Sequence, residues 1–157
     1  VSHTTRPPRS NEVDGIDYHF VTNDVFVKLI KENKFYEYAK IFGNYYGTLK
    51  QEVDRVFRAN DIIFDIDWQG TKQLSKFDNL NLIKIYLITE NKEELKKRLI
   101  SRNQDNEEAI KRRLNAYSND ITHSKNYDHV IVNEKIETCL NEIKKIISTH
   151  LKKSNNL

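Results

Sequence analysis

Two arginines flank a proline pair in Arg6-Pro7-Pro8-Arg9. Proline fixes its own φ, so the two guanidinium groups are stiffly spaced. Two such forks can hold one phosphate from two sides, although a solvated basic loop reads the same way. Glu37 stands alone among aromatics in Phe35-Tyr36-Glu37-Tyr38. Guanine presents two adjacent donors, N1–H and N2–H₂, on its Watson–Crick edge, and adenine presents no such pair. One buried carboxylate accepting both would select guanine. A glutamate on the polar face of an alternating strand would leave the same trace. Asp65 and Asp67, in Asp65-Ile66-Asp67-Trp68-Gln69-Gly70, follow an apolar run. Carboxylates placed there can hold a hydrated Mg²⁺ or a substrate edge, and an aspartate there can equally cap a helix. Arg98, Arg102, Arg112 and Arg113 form a second basic group. The planar fork of arginine suits phosphate better than the point charge of lysine; a solvated helix face would also carry such a group.

The elements that must position these groups follow from hydrophobic period and from caps. A loop covers 1–17. Tyr18, Phe20 and Val21 predict a short strand, and Asn23 a capped helix through Glu32 with Phe26, Leu29 and Ile30 on one face. Phe35 to Phe42 and the Tyr45-Tyr46 segment predict two strands divided at Gly43-Asn44. Leu49 to Ala59 predicts a helix with Val53, Val56 and Phe57 inward, ended by Asn60. Ile62 to Ile66 is a branched apolar run, expected as a buried strand, with a helix from Trp68. Leu82 to Ile88 and His129 to Val132 are further buried strands. Between them, Asn91 with Glu94 forms a capping box for a helix through Ile100, and Glu107 to about Ser124 forms another. A closing helix spans Ile136 to Leu151, with apolar residues at 136, 140, 143, 146, 147 and 151. Alternating strands and helices imply a parallel sheet covered on both faces, with ligands at the carboxyl ends of strands, where Asp65, Asp67 and Asn133 fall.

The 157 residues suffice for one domain, with 38% hydrophobic and 31% charged residues, an ordinary globular balance. Net charge is +3, too balanced to argue for nucleic acid, and no aromatics are interleaved with the basic groups in a stacking pattern. No apolar run approaches the roughly 20 residues of a membrane span. The single cysteine, Cys139, is expected as a buried thiol, which fits a reducing cytoplasm.

Six strings stand in the order and spacing found in guanylate kinases: VSHTTRPPR, NEVDGIDYHF, GNYYGT, FDIDWQG, KKRLISRNQDNEEAIKRRL and YDHVIVN. The resemblance covers the chain to about residue 150. It implies an α/β fold: a P-loop kinase-like three-layer parallel sheet core with an inserted small mixed-sheet GMP-binding subdomain and a helical lid. As one domain over 1–157, about 1–48 would be the GMP-binding subdomain, 49–97 and 125–157 the core, and about 98–124 the lid. The implied activity is phosphoryl transfer from ATP to GMP, with Mg²⁺ accompanying ATP and no direct protein metal ligands.

The same resemblance implies roles. Arg6, Arg9, Tyr18 and Tyr46 match GMP phosphate ligands; Ser2, Glu37, Thr48 and Asp67 match guanine contacts. Asp65 matches the acid beside the Mg²⁺-bound phosphates, and Asn133 a position near adenine. Arg98, Arg102 and Arg113 match catalytic arginines on ATP and the transferring phosphoryl group, whereas Arg112 reads as solvated. Where the family lid carries Gly-Arg-Gly, this chain has Ser101-Arg102-Asn103, and Asn103 tolerates unusual φ. The family also opens with a strand and a glycine-rich phosphate loop about twenty residues before the position of Val1. Without them the chain is expected to bind GMP, transfer little, and be poorly stable. Starting mid-motif and without methionine, it is expected to be a piece of a working enzyme rather than a truncated product. A protein-binding scaffold module of the guanylate-kinase-like kind is the alternative. The expected assembly is a monomer or homodimer.

Overall fold

The computed structural model describes residues 1–57 and 60–154. The chain forms two compact units, Val1–Leu80 and Asn81–Leu157.

The first unit carries a four-stranded sheet. Strand β1 (His3–Thr4) runs parallel to β2 (His19–Phe20) and antiparallel to β4 (Asn44–Leu49). Strand β3 (Phe35–Ile41) lies on the other side of β4, giving the order β2-β1-β4-β3. The β3–β4 turn has Phe42 at φ 48° and Gly43 at φ 92°. Both values are positive, as the tightest hairpin turns require. The turn is therefore Phe42-Gly43, and Asn44 already belongs to β4, one residue from the expected division. A register shift between Phe35 and Glu37 marks a β-bulge, the kind of irregularity that re-aims a side chain.

Helix α1 (Asn23–Lys31) is capped by Thr22, not Asn23: the Thr22 hydroxyl accepts the Val25 N–H at 3.3 Å. Its Phe26 is fully buried, stacked on Phe35 at 4.5 Å and on Tyr45 at 5.2 Å. Helix α2 (Lys50–Phe57) buries Val53, but Val56 and Phe57 are exposed, contrary to the inward expectation. It follows β4 directly, and its first turns carry the contact with that strand, so of the three residues on this face the one nearest the sheet is covered. The expected helix end at Ala59 lies outside the described residues.

The run Ile62 to Ile66 is not a strand, and Ile63 is 86% exposed. A buried strand needs a ladder neighbour for its backbone groups, and no described strand pairs with it. Helix α3 (Trp68–Leu74) follows and packs on the outer edge strand, β3. The side-chain amide of Gln73 accepts the Tyr38 N–H at 3.2 Å and donates to the Tyr38 carbonyl at 2.6 Å. One side chain thus satisfies both open backbone groups that an edge strand presents there.

In the second unit, β5 (Ile85–Ile88) pairs in parallel with β6 (His129–Val132) from Ile85↔His129 to Ile88↔Val132. The expected strand from Leu82 thus begins three residues later, and Leu87, Val130 and Val132 are exposed, so neither strand is buried as expected; Ile131 alone is buried in this pair. Helix α4 (Lys92–Ser101) is capped by Asn91, which accepts the Glu94 N–H at 2.8 Å. Helix α5 (Glu107–Thr122) ends in a 3₁₀ turn over His123–Asn126. The hydroxyls of Tyr86 and Tyr117, donating to the carbonyls of Asp120 and Thr89, tie α5 to β5 and the residue after it. Helix α6 (Ile136–Ser154) buries Cys139, as expected, but Ile136, Leu140 and Leu151 are exposed. The covered line runs through Cys139, Ile143, Ile146, Ile147 and His150, so the helix is rotated from the expected stripe. Among the described residues no helix is long and apolar enough to cross a membrane.

The Phe35–Phe26–Tyr45 stack is the centre of the first unit. Phe26→Ala should destabilise it by about 3–5 kcal/mol, and Phe26→Leu by clearly less. Urea unfolding followed by tyrosine fluorescence measures both.

Candidate functional site

Glu37 is 2% exposed and lies on the same face of β3 as Phe35 and Ala39. The solvent-facing alternative for this residue is therefore excluded. Burial pushes its carboxyl above the usual range, and the nearby charge of Asp67 adds to this, while hydrogen bonding from Thr48 opposes it. Its Oε1 is buried and has no hydrogen-bond partner among the described residues. Thr48 stands opposite it in the ladder, and the Thr48 and Ser2 hydroxyls are hydrogen-bonded at 3.0 Å. Three of the four expected base contacts are thereby brought together.

Asp67, the fourth, is the N-cap of α3. Its Oδ1 accepts the N–H groups of Gln69 at 2.9 Å and Gly70 at 3.1 Å, and its Oδ2 accepts the Gln69 amide at 2.8 Å. An open cleft of about 380 Å³ runs past Ser2, Tyr18, Thr48 and the exposed Asp65, within the size range of small-ligand pockets.

Arg6 and Arg9 do converge, and a carboxylate is what they hold. Arg6 grips Glu12 through both terminal nitrogens, at 2.9 and 2.8 Å. Arg9 reaches the same carboxylate with its backbone N–H at 2.7 Å and its guanidinium at 3.5 Å. The Arg6 hydrogen bonds hold the Glu12 carboxyl down to about 2. The Arg6 guanidinium also lies over the Tyr18 ring at 5.6 Å, and the Tyr18 and Tyr46 rings are 6.1 Å apart. All four expected phosphate ligands therefore border one spot. Tyr18 is raised above its ordinary value, mainly by burial.

In the second unit, Arg102 and Arg113 meet on one carboxylate, Asp105, the latter at 3.3 Å. Arg98 turns elsewhere, to Glu94 at 2.8 Å and the Glu134 carbonyl at 2.9 Å. The Glu94 carboxylate is thus used on Arg98, and only the Asn91 half of the capping box is seen. Asn103 stands at φ 49° just past the end of α4, the left-handed role its type allows. Arg112 pairs with exposed Glu108 on the solvent side, as expected. Asn133 follows β6, with its Oδ1 buried and unpartnered among the described residues.

The guanylate kinase family model matches residues 1–150. The chain belongs to the guanylate kinase family. It is 44% identical to the guanylate kinase of Rickettsia bellii over 99% of this chain and 81% of that protein. Identity to the Rickettsia felis guanylate kinase is also 44%, over 98% and 80%. The crystal structure of guanylate kinase from Anaplasma phagocytophilum superposes with a TM-score of 0.80 at 32% identity, covering 95% of this chain and 73% of that one. The fold is accordingly the α/β, P-loop kinase-like fold of guanylate kinases.

Two carboxylates that each hold a pair of arginines, Glu12 in the first unit and Asp105 in the second, carried no role in the sequence. Their signal is present all the same: each lies three residues after an arginine, Arg9 and Arg102. His3 was also missed. Burial and the neighbouring His19 bring it from 6.5 down to about 4, and its Nδ1 is buried without a partner among the described residues.

Acid stability should reflect both perturbed groups. His3 takes up a proton in the unfolded chain near 6.5 but in the folded one only near 4, so stability falls as pH drops through that window. Glu12 is held near 2 when folded, against 4.5, so its contribution is intact above 4.5 and is lost between there and 2. Melting temperatures across pH 2–7 should show both limbs; His3→Asn removes the upper one and Glu12→Gln the lower.

Proposed function

We propose that this chain is a guanylate kinase that moves the γ-phosphoryl group of ATP to GMP, releasing ADP and GDP. What carries the reading is the buried Glu37 carboxylate with an unsatisfied oxygen, beside Thr48 and Ser2. An unpaired buried carboxylate is costly, and a ligand with two neighbouring N–H donors would satisfy it. Guanine N1–H and N2–H₂ are such donors. Ser2, Thr48 and Asp67 complete the base contacts in this reading.

Arg6, Arg9, Tyr18 and Tyr46 then take the GMP phosphate. The forks that hold Glu12 are the same groups that bind a phosphate bidentately. The phosphate oxygen is already ionised, so no general base is needed. A bond forms between that oxygen and the γ-phosphorus as the bond to the β-bridging oxygen breaks, and the electron pair leaves with ADP. Catalysis of this step is positioning and charge neutralisation. Arg98, Arg102 and Arg113, in a lid of about 98–124, stabilise the charge on the transferring group. Asn133 offers its free acceptor to the adenine amino group. Asp65, exposed on the cleft, is an oxygen donor of the kind that Mg²⁺ with its waters uses, and Mg²⁺ supplies charge neutralisation at the ATP phosphates when bound. Cys139, buried as a thiol, suits a cytoplasmic setting.

Calorimetry with GMP and AMP tests the base reading. Glu37→Gln should weaken GMP by roughly tenfold to a hundredfold, and AMP hardly at all; equal effects on the two nucleotides refute the assignment. Because burial raises the Glu37 carboxyl, GMP affinity should also fall as the pH drops and Glu37 gains a proton. In a version extended through the family's phosphate loop, Arg113→Ala should lower kcat in an ADP-release assay by roughly 10³-fold while leaving GMP affinity nearly unchanged. A raised KM for GMP at intact kcat would move Arg113 to substrate binding.

A further inference from the structure

Helix α3 meets β3 through a glycine. Gly70 is buried, one turn before Gln73, the residue that clamps the Tyr38 backbone. Positions three apart share a helix face, so Gly70 faces the strand beside Tyr38. A Cβ added at Gly70 would lie 2.6 Å from Glu37 Oε2 and 3.2 Å from both Ile66 Cβ and Cδ1. The glycine is needed here for close approach and not for its backbone angles: Gly70 is an ordinary helical residue with no positive φ. The carboxylate of Glu37 therefore rests directly on the backbone of α3.

We propose that Gly70 is a positioning residue for base selection: its missing side chain is the seat that fixes where the Glu37 carboxylate stands. The inference deepens the guanine reading of Glu37 and rests on it. Of the atoms a Cβ would meet, the carboxylate is the end of a flexible side chain, whereas Ile66 Cβ is fixed to its backbone. The carboxylate is thus the group that gives way. It is confined in a site 2% exposed, so giving way means leaving the place where two adjacent ring donors would reach it. A displacement near 1 Å can cost roughly 10²-fold. Asp67 holds the seat in place by accepting the Gly70 N–H at 3.1 Å, and Gln73 holds the helix on the strand.

A double-mutant cycle on the full chain tests this, with GMP and AMP as calorimetric probes. Gly70→Ala should weaken GMP by roughly tenfold or more and leave AMP within about twofold. In the Glu37→Ala background the same change should leave GMP affinity within about twofold, because there is no carboxylate to displace. An equal loss in both backgrounds, or no loss in the parent, overturns the proposal. Should Gly70→Ala fold poorly, adding Ile66→Val removes the Cδ1 contact. A melting temperature still far below the parent then overturns the proposal, by placing the effect in backbone packing. Failure of the guanine reading is separable. If the parent binds GMP no better than AMP, ¹³C-labelled glutamate reads the seat directly: a shifted Glu37 carboxyl resonance in Gly70→Ala upholds the contact, and an unchanged one refutes it.

Discussion

A carboxylate taken out of water is unfavourable by several kcal/mol unless hydrogen bonds replace its hydration. Glu37 meets that condition only partly: Thr48 hydrogen-bonds it, but Oε1 stands alone. Much of the first unit serves to hold this incomplete arrangement. The alternation of β3 puts the side chain on the covered face, with Phe35 and Ala39. The stacked rings of Phe26, Phe35 and Tyr45 anchor the hairpin that carries it. Gln73 fixes α3 against the same strand, and Asp67 fixes the start of α3. The cost of an unsatisfied oxygen is sustained by packing elsewhere, and it is what makes the site responsive to a ligand with matching donors.

Both groups of paired arginines are organised by an acid of the chain itself. Glu12 joins Arg6 to Arg9, and Asp105 joins Arg102 to Arg113. Two guanidinium groups brought close repel one another, and a shared carboxylate neutralises them and fixes their directions. A phosphate offered to such a pair finds the forks already aligned, so less side-chain entropy is lost on binding. The same carboxylate also competes for the forks, which keeps affinity for any single anion moderate. Arg98 lies outside this pattern, held instead by its own helix and by the Glu134 carbonyl.

Residues whose neighbours are close in sequence were legible. The caps at Asn91 and Asp67, the left-handed Asn103 and the buried Cys139 all follow from local chemistry or period. What failed depended on partners distant in the chain. Ile62 to Ile66 has the composition of a buried strand, but pairing is a property of a neighbour, and none pairs with it. Val56, Phe57, Ile136 and Leu140 are apolar yet exposed, because a period gives the direction of a face and not what lies opposite it. At the candidate site, residue types left Arg6, Arg9 and Glu37 open between a ligand and a solvated reading; the structure shows Glu37 buried and both arginines on Glu12. Glu12 and Asp105 were overlooked because an acid near an arginine is common on any surface and only geometry separates the shared ones.

Glu37 and Glu12 contrast within the first unit. Two acids of the same type sit within one sheet-based unit and are pushed in opposite directions. Burial and Asp67 raise Glu37, and Arg6 lowers Glu12. Glu12 is held in its charged form down to about 2 and is engaged by Arg6 and Arg9, so it works as internal structure and fixes the directions of both guanidinium groups. Glu37 is raised by burial and retains an acceptor, Oε1, without a partner among the described residues. Environment, rather than residue type, sets the two apart: Glu12 serves architecture, and Glu37 serves selection in the function proposed above. Selection by Glu37 further requires that nothing else fill the space beside it, and a glycine on the facing helix provides that space.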